Sequence, residues 1–447
     1  MTQPNTSTSG AELVSTSIQS RLTATLFTAH GLLIAANVAS FTLMPIVATQ
    51  MVSESVAGVP STLSMVGRAL AGYPIGWIME RLGRRLGLSL GYLIAVLGGV
   101  VSVLSIGLGS FIGFCFGMGL LGAGRAASEQ ARFVAAEVSF AEQRAKVIGF
   151  VVAAGIIGGV GGPFLVAPST SLMASLGFEP LIGAYATSTI LALLAMFLVF
   201  FLLFPEPKKL SRLIEQREAG IKLDSAPIEN ATHMKEQTAQ EEQKAQNSEA
   251  QRTFWEILSI PAVQLAMAAL VIGQFVMVWL MVIMAVHMSR HDHTTASIAW
   301  VIALHNAGMY AFSWSVGWII ERIGQVQTIV VGAFVLALST IMAPLSVGFP
   351  VLATSMFLVG LGWSLSFVAG SALLSDTLAP SERSQIQGTS ESLLSAAGGI
   401  GSLGTAFIYA NYGGMPVVGV MGLVISIGLV LAVTRYMLTI ARPAAAT

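Results

Sequence analysis

The feature that most constrains this chain is a series of twelve apolar stretches, each about as long as a helix that crosses a bilayer. Inside a membrane every backbone polar group must be paired, and a helix does this within one segment. The sequence therefore predicts an all-α membrane protein with twelve transmembrane helices and the lipid bilayer as its surroundings. The stretches lie at 24–47, 57–79, 86–107, 110–135, 147–167, 181–204, 262–286, 297–320, 327–346, 351–373, 386–410 and 416–440.

The composition excludes a soluble domain, because 54% of the residues are hydrophobic, 10% are charged and the mean hydropathy is +0.77. No nucleotide-binding loop, nucleophile–base set or carboxylate dyad lies outside the apolar stretches, so we expect no enzyme activity and no catalytic residue. We also expect no nucleic-acid partner.

A polar, charged interval divides the stretches into six and six. We predict an N-terminal tail (1–22), a first six-helix bundle (23–204), a charged linker (205–253), a second bundle (254–440) and a C-terminal tail (441–447). The loops on the side of the linker carry most of the basic residues, whereas the opposite side carries Arg290. By the positive-inside bias, both termini and the linker are expected in the cytoplasm.

An internal repeat supports the division into halves. The segment Gly76–Gly83, GWIMERLG, returns as Gly317–Gly324, GWIIERIG. The spacing of Glu137, Arg144 and Gly149 after the fourth stretch also returns after the tenth, at Asp376, Arg383 and Gly388. The two halves are therefore predicted to be parallel repeats.

The first copy resembles the signature loop of the major facilitator superfamily, Gly-x-x-x-Asp-Arg-x-Gly-Arg-Arg, with Glu80 in place of the usual Asp. The resemblance implies two six-helix bundles that rock about a central site, with helices one, two, four and five and their repeats lining the cavity. Charge-assisted bonds at the loops would close the cytoplasmic side; the alternative is that these charges only set topology. Gln325 and Val326 replace two arginines in the second copy, so its gate should be weaker. The loop residues are Gly76, Glu80, Arg81, Gly83, Arg84, Arg85, Gly317, Glu321, Arg322, Gly324, Asp376 and Arg383.

Charged residues inside the spans are costly and therefore informative. Arg68 lies in the second span, Arg125 and Glu129 lie four apart in the fourth, and Glu391 begins the eleventh. They are candidates for coupling or gating. A neutralised structural pair is the alternative for Arg125 and Glu129.

Two pairs of soft donors occupy the seventh and eighth spans at i,i+4 spacing. Met277 and Met281 form the first pair, and His305 and Met309 form the second. Thioether sulfur and imidazole nitrogen are ligands that Cu(I) accepts. Core packing is the alternative for the methionines, because the chain has 20 of them. A further group is a candidate for collecting metal at the outer mouth: His287, Met288, His291 and His293.

The two soft-donor motifs together resemble the signature of the CcoA-like copper importers, a branch of the same superfamily. The resemblance implies import of copper, as Cu(I), across the bacterial inner membrane to supply assembly of cbb3-type cytochrome c oxidase. It leads us to expect copper as substrate, no permanently bound cofactor, a monomer and a cytoplasmic copper acceptor. The wider kin include riboflavin transporters, and residues 130–137 resemble a sequence of that broader group, so they support the group and not copper.

Two other cargoes stay open at this point. An aromatic solute such as riboflavin would use cavity aromatics with Arg68 or Arg125. Proton-coupled drug efflux is suggested by the Gly-rich segment 158–163, which resembles an element of exporters.

Overall fold

The computed structural model describes residues 16–140, 143–218, 253–378 and 380–441, and these are helical without a strand. Twelve long helices carry the two halves of this described part. Those of the first half are α1 (Thr16–Met51), α2 (Val59–Leu82), α3 (Arg84–Gly107), α4 (Phe111–Glu137), α5 (Arg144–Phe164) and α6 (Ile182–Leu202). Those of the second half are α7 (Pro261–Arg290), α8 (Thr295–Tyr310), α9 (Gln325–Met342), α10 (Phe349–Thr377), α11 (Pro380–Asn411) and α12 (Met415–Ala441).

Shorter helices extend or connect this set. After Leu165, α5 continues as Val166–Ser175, in a stretch where Pro163 and Pro168 remove backbone donors. Helix α8 continues as Ser313–Ile323. The helices Pro207–Glu218 and Phe254–Ser259 belong to the linker, and a single 3₁₀ turn, Glu54–Val56, precedes α2.

The packing of the two halves follows the sequence repeat. In the first half α4 packs on α2 and α3, and α1 packs on α5 and α6. In the second half α10 packs on α8 and α9, and α7 packs on α11 and α12. Corresponding helices therefore make corresponding contacts, which confirms two six-helix bundles built as parallel repeats.

The outside of the bundles is apolar, as a bilayer requires. In the described residues, ten helices are long and apolar enough to cross a membrane, and α2 and the interrupted α8 complete the twelve. Helix α3 illustrates the outer surface, since it exposes a row of large side chains: Leu90, Leu93, Leu97, Val100 and Leu104.

The two halves meet at one end of the molecule. We call the end where α6 finishes and α7 begins the linker face, and the opposite end, with the α1–α2 and α7–α8 connections, the far face. Contacts between the halves join α5 to α8, α2 to α11 and α1 to α7. At the far-face end of these helices Thr62 Oγ1 donates to the Gly399 carbonyl at 3.0 Å, and the rings of Phe164 and Trp300 lie edge to face at 4.5 Å.

Nearer the linker face, a Cβ placed on Gly72 or Gly76 of α2, or on Gly317 after α8, would meet no described atom within 4 Å. The hydrogen bond and the ring contact given above therefore join the two halves at the far face.

Two boundaries differ from the sequence predictions. Helix α1 begins at Thr16, inside the predicted tail 1–22, because Leu22 is buried and Arg21 donates to the Phe204 carbonyl at the end of α6. The eighth span is interrupted after Tyr310, where Ser315 Oγ donates to the Phe312 carbonyl. Most of the predicted linker (219–252) and C-terminal tail (442–447) lies outside the described residues.

Candidate functional site

Helix α10 lies between the two helices that carry the soft donors. Trp363 of α10 donates from Nε1 to Gln274 Oε1 of α7 at 2.9 Å, and its ring meets Tyr310 of α8 edge to face at 6.3 Å. A Cβ on Gly360 would lie 2.3 Å from the His305 carbonyl oxygen, so glycine is required where α8 crosses α10. Both donor pairs consequently lie against the same part of α10, within about one helical turn of each other in depth.

His305 has one ring nitrogen engaged and one unpaired. Its Nδ1 lies 3.0 Å from the Met356 carbonyl oxygen, which can only accept, so Nδ1 carries the proton. Nε2 then holds a lone pair, and it is buried with no hydrogen-bond partner in the described structure. A buried polar atom left unpaired costs about 1–3 kcal/mol. The tautomer of His305 is held by the backbone, so Nε2 is available as an acceptor of a hydrogen bond or as a donor of its electron pair to a metal ion.

The three methionines differ in accessibility. Met277 and Met309 are buried, with 6% and 7% of their surface exposed, whereas Met281 is partly buried at the edge of the apolar core. Met277 follows Gly273 by one turn, and a Cβ on Gly273 would lie 3.3 Å from Ser366 Cβ of α10. The structure thus places Met277 and Met309 in the protein interior and Met281 at the edge of the core.

A charged cluster lies in the first half. The Glu129 carboxylate pairs with Arg68 Nε at 3.2 Å and with Arg125 Nε at 3.3 Å, so a bridge between α2 and α4 adds to the pair expected from sequence. All three side chains keep about 29% of their surface exposed (29%, 29% and 28%), which leaves them open to the space between the halves. Arg132 is close enough to act electrostatically on the same carboxylate, and its buried Nε has no described hydrogen-bond partner.

The signature loop of the first half forms an ion-pair network. Gly83 makes the turn between α2 and α3 at φ 99°, a conformation that favours glycine. Arg84 binds Glu137 of α4 through two bonds of 2.8 Å, and its backbone N–H donates to the Glu206 carboxylate at 2.5 Å. The Glu80 side chain is exposed, and Lys208 Nζ donates to the backbone carbonyl oxygen of Glu80. The acid that binds the loop arginine is therefore Glu137, not Glu80.

The second loop repeats this geometry with a neutral donor. Gly324 turns the chain at φ 90°, and Gln325 Nε2 donates to the Asp376 carboxylate at 2.6 Å. Each loop also has an arginine packed on a tryptophan ring: Arg81 lies 4.2 Å from the centre of the Trp77 ring, and Arg322 lies 4.0 Å from that of Trp318. Arg85, in contrast, donates to the Phe200 carbonyl. Glu321 has no described ion pair, and the side chains of Arg383 and Glu391, although on α11, lie outside the described ones.

Of the four residues that the sequence predicts to collect metal at the outer mouth, the three histidines have polar contacts at the far face. The rings of His287 and His291 are 4.5 Å apart, and His287 Nδ1 lies 3.0 Å from Tyr409 Oη. His293 Nε2 donates to the Val347 carbonyl at 2.8 Å. Met288 is completely buried in the core of the half instead.

Some contacts of these sites were not found from the sequence. The bond between Gln325 and Asp376 had a signal, because superposing the two repeats pairs Gln325 with Arg84 and Asp376 with Glu137. Gln274, Trp363 and Glu206 had none, since each joins elements that are distant in sequence.

Comparison with known proteins gives a consistent family. The model of the Major Facilitator Superfamily matches residues 26–291 and 266–446. An uncharacterised MFS-type transporter of Bacillus subtilis, YdeG, is 27% identical over 378 residues, which cover 83% of this chain and 82% of the relative. The riboflavin transporter RfnT of Brucella anthropi is also 27% identical, over 339 residues that cover 75% of each chain.

Solved structures show the same fold. The xylose transporter XylE of E. coli, in a partially occluded inward open conformation, superposes with a TM-score of 0.67 at 16% identity. The superposition covers 97% of this chain and 100% of that one.

Proposed function

Since the chain belongs to the Major Facilitator Superfamily of membrane transporters, and is therefore not an enzyme, we propose that it carries copper, as Cu(I), into the cytoplasm. The chain is a secondary transporter that spans the membrane many times. In this proposal Met281 and His305 hold the ion, with Met277 and Met309 assisting.

The observation that carries the proposal is the unpaired Nε2 of His305. The Met356 carbonyl fixes the proton on Nδ1, so Nε2 holds a lone pair that no described side chain or backbone donor reaches. Backbone-oriented imidazole of this kind is the usual state of a metal-ligating histidine. Thioethers add soft donors that need no deprotonation and bind more weakly than thiolates, which suits a carrier that releases its cargo.

The closed far face is compatible with a carrier that releases its cargo on the opposite side. The described contacts join the halves at the far face. The positive-inside bias places the linker face in the cytoplasm, so in the proposal this state releases copper inward. In the proposal the protein acts as a monomer in a bacterial inner membrane and passes copper to a cytoplasmic acceptor that supplies a cbb3-type oxidase.

The test substitutes one side chain. In His305→Asn the amide nitrogen occupies the place of Nδ1 and can still donate to the Met356 carbonyl, but the Nε2 ligand is lost. We expect His305→Asn to fold like the wild type, by melting temperature, and to lose copper uptake by about tenfold or more. Normal copper uptake by His305→Asn at matched expression would overturn the proposal.

A second cargo is favoured by a different observation. The Arg68–Glu129–Arg125 cluster is open to the space between the halves, and Trp363, stacked on Phe367 at 4.6 Å, adds an aromatic wall. Guanidinium groups and aromatic rings suit a planar organic solute with polar substituents. Together with the relative described as a riboflavin transporter, they support a riboflavin-like cargo as the alternative.

Uptake of labelled riboflavin separates the two cargoes. If copper is the cargo, cells that express the chain accumulate copper and gain no riboflavin uptake. If riboflavin is the cargo, Trp363→Ala abolishes its uptake and His305→Asn leaves it intact.

A further inference from the structure

A second group of soft donors surrounds a cavity at the far face of the second half. The cavity has a volume of about 440 Å³ and lies between the end of α7, the α9–α10 connection and the α11–α12 connection. His287, His291, Arg290, Tyr409 and Met415 line it. It lies at the face where hydrogen bonds join the two halves.

The two histidines line the same cavity with their rings close together. His287 lies in the last turn of α7, and His291 follows it by four residues as the first residue after the helix. Their ring centres are 4.5 Å apart. His291 Nδ1 lies 2.8 Å from the His287 carbonyl oxygen, so it carries the proton and Nε2 keeps the lone pair. Tyr409 Oη lies 3.0 Å from His287 Nδ1 and can accept a hydrogen bond from it. In that tautomer His287 Nε2 holds the lone pair.

Met415, the first residue of α12, supplies a thioether to the same cavity. Only 3% of its surface is exposed, although it lines the cavity wall. Two imidazole nitrogens and one thioether sulfur form a donor set that prefers soft, low-valent ions to Mg²⁺ or Ca²⁺. The backbone carbonyl and the tyrosine hydroxyl would act as the outer partners that orient such ligands.

Arg290 opposes the binding of a cation, and its partners limit the effect. Its Nη1 lies 3.1 Å from Glu54 Oε2 of the first half, and its guanidinium lies over the Tyr409 ring at 5.7 Å. The carboxylate offsets most of the repulsion, and the remainder makes binding weak. Weak binding is what a site that hands its ion onward requires.

We propose that His287, His291 and Met415 form a capture site for Cu(I) at the far face, separate from the site at His305. The inference rests on the proposed copper cargo. The Arg290–Glu54 pair joins the capture site to the closure of the far face, so ions collect there while the cavity between the halves is open on the other side.

Counting copper on the purified full-length protein tests the site. Cu(I) is supplied from its bicinchoninate complex to the wild type and to His291→Ala, Met415→Leu and His305→Asn. His293→Ala is the matched control, because His293 is a neighbouring histidine whose Nε2 is bonded to Val347. We expect two equivalents on the wild type and on His293→Ala, and one on His291→Ala and His305→Asn. Met415→Leu keeps the shape of the side chain and should bind the outer ion about tenfold more weakly.

Transport kinetics give the second readout. The His291→Ala variant should need about tenfold more copper for half-maximal uptake and reach the wild-type maximum, whereas His305→Asn loses uptake. Two equivalents on His291→Ala, or equal losses on His291→Ala and His293→Ala, would overturn the capture site. If the His291-dependent equivalent is present but no variant, nor the wild type, transports copper, the capture site stands and the copper cargo fails.

Discussion

Gly58 is the position where one added methyl group tests how the far face closes. A Cβ there would lie 2.0 Å from the Ser402 carbonyl oxygen of the other half, whereas real Cβ atoms stay at 3.0 Å or more. The halves must therefore separate by about 1 Å at this point. Three hydrogen bonds lie at the same joint: Ser402 Oγ to the Gly58 carbonyl, Thr62 Oγ1 to the Gly399 carbonyl, and Ser61 with Ser402. At about 1 kcal/mol each, their loss amounts to about 3 kcal/mol.

A shift of that size disfavours the state closed at the far face by about a hundredfold relative to the opposite state. The assay is the rate at which a membrane-impermeant maleimide labels Gly72→Cys from the linker side. Gly72 shares a face of α2 with Met65, which lies against Gly398 of the other half, and the space around it is open. The single natural cysteine, Cys115, is buried and should stay silent.

Adding Gly58→Ala to this background should slow labelling by up to about a hundredfold. Gly161→Ala is the matched control, because α5 also joins the halves and a Cβ at Gly161 meets nothing within 4 Å. It should label like the parent. Equal rates for Gly58→Ala and Gly161→Ala would refute the reasoning that Gly58 sets the closure.

Three further predictions concern the charges. Reversing the charge of either Glu54 or Arg290 should slow transport, and the effect should be only severalfold because the ion pair is partly exposed. Reversing both charges should restore transport. No restoration would show that the pair does not join the halves. Arg84→Ala should lower the melting temperature more than Gln325→Ala does. The first substitution removes two hydrogen bonds from a charged donor, whereas the second removes one hydrogen bond from a neutral amide. Equal shifts would contradict the difference between the loops. Glu129→Gln should destabilise the first half by about 2 kcal/mol, measured by thermal unfolding, because two partly exposed guanidinium groups lose their shared carboxylate. An unchanged melting temperature would remove the cluster's structural role.

The fold follows from the sequence because its signals are local or repeated. Runs of apolar residues give the helices, and the repeated loop predicts that Gly83 and Gly324 turn the chain alike, as their φ values of 99° and 90° confirm. The neutral second loop was also readable, since Gln325 replaces an arginine. The hydrogen bond from Gln325 to Asp376 could be predicted by aligning the two halves alone.

The site was less predictable because its contacts cross between helices. An i,i+4 rule pairs Arg125 with Glu129 on one helix, but nothing local indicates that Arg68 of α2 reaches the same carboxylate. The histidines show the same limit. Spacing identified His287 and His291, yet only the packing of α11 brings Tyr409 to His287 and only the first turn of α12 adds Met415.

The central claim is that copper crosses the membrane through the soft donors of α7 and α8. The most direct measurement is uptake of radioactive Cu(I) into proteoliposomes that contain the purified chain, with wild type, His305→Asn and Met281→Leu compared at equal protein content. We predict uptake by the wild type that excess riboflavin does not reduce, a loss of about tenfold or more in His305→Asn, and a smaller loss in Met281→Leu. Equal copper accumulation by all three, or riboflavin accumulation in its place, would contradict the claim.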